Sequence, residues 1–87
     1  MEMRWLRAFG DAIARRRRAL KLSQEDVAYE AGISVRYFAD VERGQRNASL
    51  MVARQIASAL ATPLQQLLDV ADQADRAASR IIAQRRR

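Results

Sequence analysis

The chain contains no cysteine and no histidine. It therefore lacks the usual ligands of zinc and haem, any thiol nucleophile, and the side chain that most often acts as a general base. No other cluster of catalytic side chains appears, so neither an enzyme nor a cofactor or metal is expected. Disulfides are impossible, which fits a reducing compartment. No apolar run approaches the roughly 20 residues that a membrane-spanning helix needs. The segment MEMRWLRAFGDAI has neither the apolar core nor the cleavage site of a signal peptide. The expected location is cytoplasmic, with no membrane partner. Proline occurs once, at Pro63, and no glycine or proline follows it, so nothing local would stop a helix from there onward.

Eighty-seven residues make one domain with a single modest core, too few for a second, ligand-sensing domain. The net charge of +6 is unevenly spread. Residues 1–48 hold ten basic and seven acidic groups, residues 49–75 one and three, and residues 76–87 five and none. Both ends are basic and the middle is not. A basic face attracts phosphate through counterion release, which favours a nucleic-acid partner, while a merely solvated surface would leave the same trace. Charge alone does not decide between them.

The stretch SQEDVAYEAGISVRYFADVERG, residues 23–44, does decide. It reads as two short helices joined by a glycine turn, a helix-turn-helix. Val27 and Ala31 lie one turn apart on the first helix, Phe38 and Val41 three apart on the second, and Ile33 fills the corner. Ala28 is small where the helices cross. Gly32 stands at the end of the first helix, where a left-handed backbone favours glycine. Ser23 and Asp26 resemble a capping box, Ser34 can cap the second helix, and Gly44 ends it. Caps, spacing and turn residues agree over the whole segment.

Further text extends the pattern: FGDAIARRRRALKLSQEDVA, then AGIS, VERGQRNASL, IASAL and LQQLL, together covering about residues 9–68. This resembles the phage-repressor-like (XRE-type) helix-turn-helix regulators. The resemblance implies an all-α fold, a compact five-helix lambda-repressor-like DNA-binding domain. Three residues depart from the family pattern: Ala48 where proline is common, Ala53 where a larger aliphatic is common, and Ala61 where glycine is common. The resemblance also implies that Arg17 pairs with Glu42 in a partly buried bridge, with phosphate contact as the alternative for Arg17.

Outside the motif, apolar spacing predicts a first helix over about residues 4–20, with Phe9, Ile13 and Leu20 on one face and Trp5 and Leu6 covering its start. Arg17 falls on that inward face; Arg15 and Arg18 point away. A fourth helix is expected after Ser49 as cap, with Leu50, Ala53, Ile56, Ala57 and Leu60 inward and Met51 and Val52 left over as apolar surface. Thr62 and Pro63 read as cap and first residue of a fifth helix, with Gln65 completing a box. That helix can continue far past Leu68. Leu67, Val70, Ala74, Ala77 and Ile81 form a coiled-coil-like stripe, and Asp72 can pair with Arg76. We divide the chain into a DNA-binding domain, residues 1–70, and a basic helical extension or tail, residues 71–87.

If the third helix, about residues 34–43, enters the major groove, Val35, Arg36, Ala39 and Asp40 face the bases. Arg36 can donate twice to guanine. Asp40 can accept from cytosine or, more in keeping with nearby phosphates, brace Arg36. Gln24, Tyr37, Arg43, Arg46 and Asn47 are the phosphate candidates, Gln24 as the first residue of the second helix and by family resemblance. A single reading head implies a homodimer on a near-palindromic operator, with Met51, Val52, Leu64, Leu67, Val70, Ala74 and Ile81 as the interface. The expected function is sequence-specific binding of double-stranded DNA in transcriptional regulation. Controller proteins of restriction-modification systems and small phage repressors share the layout. The competing reading is an interaction protein of the same fold, either an antitoxin that holds a toxin partner through its C-terminal segment or a bridging coactivator.

Overall fold

The computed structural model describes residues 2–85; of the basic tail, residues 86 and 87 lie outside the described residues. Five helices follow one another: α1 (Glu2–Ala19), α2 (Gln24–Ala31), α3 (Val35–Glu42), α4 (Leu50–Ala59) and α5 (Leu64–Arg85). All regular structure among the described residues is helical, as expected. Ile13, Val27, Phe38, Val41, Ile56 and Leu60 are fully enclosed at the centre, with alanines at the close crossings. Burial of such side chains contributes about 1.5–3 kcal/mol each.

The first four helices stop in the same way. One or two residues past each end the backbone turns left-handed: Lys21 (φ 57°), Gly32 (φ 73°), Gly44 (φ 71°) and Ala61 (φ 52°). Behind each, the next N–H reaches five residues back, from Leu22 to Arg17, Ile33 to Ala28, Gln45 to Asp40, and Thr62 to Ala57. This closure satisfies carbonyls that a helix end leaves open. It also corrects the reading of α1. The helix ends at Ala19, Leu20 is exposed, and Leu22 turns back onto the core in its place.

Two further expectations shift at α4. Leu50 is 77 % exposed, not inward, because it is the first helical residue and projects past the body to the lip of a groove lined by Trp5, Leu6, Phe9, Ala53, Leu64 and Leu68. Val52, expected as spare surface, is half-buried against the core; Met51 is exposed. Ser49 caps α4 through its hydroxyl, which accepts from the Val52 N–H at 3.1 Å.

α5 begins at Leu64, so Pro63 precedes the helix instead of opening it. The Thr62 hydroxyl donates to the Gln66 side-chain oxygen at 3.3 Å, and no box with Gln65 forms. The helix runs unbroken past residue 70, and Ala71 is fully buried, so the expected domain boundary falls inside one element. Its inward face is also one step round from the expected stripe. Leu67 is buried in the chain's own core and Leu64 and Leu68 pack against it, while Val70, Ala74, Ala77 and Ile81 face outward. Leu67 therefore offers no surface to a second chain, and Leu64 and Val52 offer little.

The inward seam continues along α1 through polar residues. The Trp5 indole N–H donates to Asp72 Oδ1 at 2.7 Å, and Arg4 donates to Asp75 Oδ1 and Ser79 Oγ, both at 2.8 Å. Asp72 thus serves Trp5, not Arg76. Trp5 in turn stacks on Phe9, with ring centroids 5.3 Å apart. The middle turns of α5 are clasped to the start of α1, with Ile81 and Ile82 still exposed beyond.

Candidate nucleic-acid interface

Local capping bonds set the starts of α2 and α3. Ser23 Oγ accepts from the Asp26 N–H at 3.0 Å while Asp26 Oδ2 accepts from the Ser23 N–H at 2.9 Å, a complete capping box with Asp in the acidic place. The Ser23 backbone N–H, with a smaller contribution from the Ser23 hydroxyl, holds the Asp26 carboxyl below the usual carboxylate range. Ser34 Oγ accepts from the Tyr37 N–H at 3.0 Å and starts α3. Phe38 and Val41 on one side of α3 are buried with Val27, Ala28 and Ala31 of α2, so the opposite side of α3 must face solvent.

An ion pair then ties this unit to α1. Arg17 Nε donates to Glu42 Oε2 at 2.7 Å and Nη2 to Oε1 at 3.2 Å, while Nη1 donates to the Leu22 carbonyl at 3.0 Å. Gln24 Nε2 adds a further bond to Glu42 Oε1 at 2.8 Å. The side chains of Arg17 and Glu42 are only 13 % and 6 % exposed. The hydrogen bond to Glu42 raises the Arg17 pKa above its ordinary value against the opposing effect of burial. One carboxylate thus joins the end of α1, the start of α2 and the end of α3.

The neighbouring arginines divide other tasks. Arg15 pairs with Asp11 at 3.1 Å on the surface, where such a pair contributes about 0–1 kcal/mol. Arg16 donates to the Leu60 and Ala61 carbonyls at 3.0 and 3.2 Å, closing the end of α4. Sequence reasoning missed this role; the only trace is a cation among four whose target lies 44 residues away.

The exposed side of α3 carries Val35 and Arg36, with Ala39 half-buried beside them. Asp40 forms an ion pair with Arg43, one turn on, and not with Arg36, so the expected brace has a different partner. Arg43 Nε also donates to Gln45 Oε1 at 3.4 Å. The Arg46 guanidinium lies over the Tyr37 ring, 4.5 Å from its centroid. This cation–π contact ties the loop after α3 to Tyr37 in the first turn of that helix. Asn47 is exposed in the following loop. Gln24 has one amide hydrogen committed to Glu42, which leaves the other, together with the Gln24 and Glu25 backbone N–H groups, for an outside acceptor.

Two glycines that sequence reasoning did not link set how closely α1 approaches. A Cβ on Gly10 would overlap the Val41 and Glu42 carbonyl oxygens, and one on Gly44 would lie 2.7 Å from backbone and side-chain atoms of Arg7. Gly10 sits mid-helix, where glycine is otherwise unfavourable, and that was the available signal.

Residues 8–71 match the helix-turn-helix domain family. An uncharacterized HTH-type transcriptional regulator of Sinorhizobium fredii, y4dJ, is 36 % identical over 73 residues, which span 84 % of this chain and 92 % of that protein. Among solved structures, the restriction-modification controller protein C.AhdI of Aeromonas hydrophila is 40 % identical, with a TM-score of 0.70 over 71 % of this chain and 94 % of that one. The clp gene regulator ClgR of Corynebacterium glutamicum superposes with a TM-score of 0.80 over 92 % of this chain and 87 % of that one, at 23 % identity, which speaks to the fold alone. With the family matched over most of its length, the chain belongs to the helix-turn-helix domain family, in its phage-repressor-like (XRE-type) form.

Proposed function

We propose that this protein regulates transcription by binding double-stranded DNA in a sequence-specific way, with α3 in the major groove. The observation that carries the reading is the exposed face of α3, where Val35 and Arg36 stand opposite buried Phe38 and Val41, on a helix fixed to α1 and α2 through Glu42. Arg36 reads a base by double donation, and Val35 and Ala39 offer methyl contact to thymine. Gln24, Tyr37, Arg43, Arg46 and Asn47 hold backbone phosphates on either side. Asp40 sets the direction of Arg43 through their ion pair.

One reading head is small for tight specific binding, so the functional unit is a homodimer on a near-palindromic site. Its interface uses surface that the monomer leaves apolar and open: Met51 on α4, and Val70, Ala74 and Ile81 on the outer face of α5. The relatives at 36 and 40 % identity are named as a transcriptional regulator and a controller protein, in keeping with a binding function. Selection of bound sequences from random duplexes tests the proposal. Recovery of a two-fold symmetric sequence supports it, and recovery of unselected DNA contradicts base reading.

A further inference from the structure

Arg7 has no part in the interface described so far, yet α1 brings it to the residue that ends α3. The N, Cα and Cγ atoms of Arg7 lie 2.7 Å from where a Cβ of Gly44 would stand. Gly44 is buried, and it lies next to Arg43 and two residues before Arg46. Arg7, Gly10, Ala14 and Arg17 recur at steps of three, four and three, so they form one stripe of α1. That stripe is pinned to the end of α3 at further points, by Gly10 against the Val41 and Glu42 carbonyls and by Arg17 on Glu42. The stem of Arg7 is therefore held in place by backbone packing, while its side chain is exposed.

Its charge is also available. Arg43 is tied to Asp40 and Gln45, Arg46 rests on Tyr37, Arg16 closes α4 and Arg17 serves Glu42. Among residues 3–85, no carboxylate or carbonyl engages the Arg7 guanidinium. We propose that Arg7 is a phosphate-binding residue, which forms with Arg43 and Arg46 a cradle for a backbone phosphate of duplex DNA just beyond the end of α3. This rests on the reading of α3 as the DNA-contacting helix. A stem fixed in advance loses little freedom on binding, and the guanidinium releases a counterion when a phosphate meets it. The competing role is structural, a cation near the open carbonyls at the end of α3.

The test compares Arg7→Met, which keeps the packed stem and removes the charge, with Arg7→Lys, which keeps the charge. Each is measured for binding to a mixed-sequence duplex across a salt series, beside a thermal melt. The Met variant is expected to lower the slope of log affinity against log salt by about one, and Arg7→Lys to keep it. Between roughly 50 and 200 mM salt, the Met variant should lose about threefold less affinity than the parent. A parental slope in Arg7→Met overturns the proposal, whether or not its melting temperature falls; a lowered melt with an unchanged slope assigns Arg7 to the structural role. A lowered slope in Arg43→Ala with none in Arg7→Met removes the Arg7 assignment alone. If the parent itself shows no salt-dependent duplex binding, the DNA-binding reading falls with it.

Discussion

Arg17 and Glu42 meet through two hydrogen bonds, of 2.7 and 3.2 Å, at the junction of α1 with the end of α3. Both side chains are largely buried, and Gln24 and the Leu22 carbonyl complete the set of partners. Removing one member leaves the other charge buried and under-compensated, which is far more costly than losing an exposed pair. Glu42→Gln and Arg17→Met should each destabilise by about 3 kcal/mol, and the double variant by much less than their sum. Denaturant melts of the three variants check this; additive, near-zero losses would contradict it.

Substitutions at Gly10 and Ala61 should have opposite signs to what helix propensity alone suggests. An alanine at a mid-helix glycine normally stabilises by about 1 kcal/mol. At Gly10 the added methyl meets the Val41 and Glu42 carbonyls, so Gly10→Ala should destabilise by about 1–3 kcal/mol. Ala61 carries a left-handed φ of 52°, a conformation that burdens any residue with a Cβ by about 1–2 kcal/mol. Ala61→Gly should therefore raise stability by up to about 1 kcal/mol. Thermal melts decide both signs.

Much of the fold was legible in sequence because local chemistry specified it. Ser23 with Asp26, Ser34, Gly32 and Gly44 each act within a few residues of themselves, and each sits at the helix end where its side chain or backbone is needed. The errors share a different cause. The seam of α5 was misphased because its inward positions after Ala71 include Asp72, Asp75 and Ser79, polar residues matched by Trp5 and Arg4 of α1. An apolar pattern cannot see a polar seam, so the stripe settled on the outward alanines. Likewise, Arg16 and Arg17 look alike in a run of four, and only the distant carbonyls of α4 and the carboxylate of α3 separate their roles. At the interface, spacing marked which side of α3 is open, but the partner of Asp40 depended on side-chain reach.

The clasp between α5 and α1 changes what a C-terminal truncation should do. Ending the chain after Ala71 removes Asp72, Asp75 and Ser79 and so leaves the Trp5 indole and Arg4 without these partners. The truncated protein should still be helical but melt lower, and, with Ala74 and Ile81 gone, be more monomeric. Removal of the outer face alone, by Ile81→Ser and Ala74→Glu, should weaken dimerisation and leave the melt unchanged at concentrations where the parent is itself monomeric. Sedimentation over a range of concentrations, beside circular dichroism, separates the two effects. A dimer that survives both changes places the interface elsewhere.

The central claim is that α3 reads bases and that the arginine after it grips the backbone. Binding of Arg36→Ala and Arg43→Ala to a selected operator and to its scrambled version measures this most directly. Arg36→Ala should lose affinity for the operator by a factor equivalent to about 1–3 kcal/mol while leaving scrambled binding nearly unchanged. Arg43→Ala should weaken both duplexes alike and reduce the salt slope by about one. Equal losses on the two duplexes for Arg36→Ala would contradict base reading by α3.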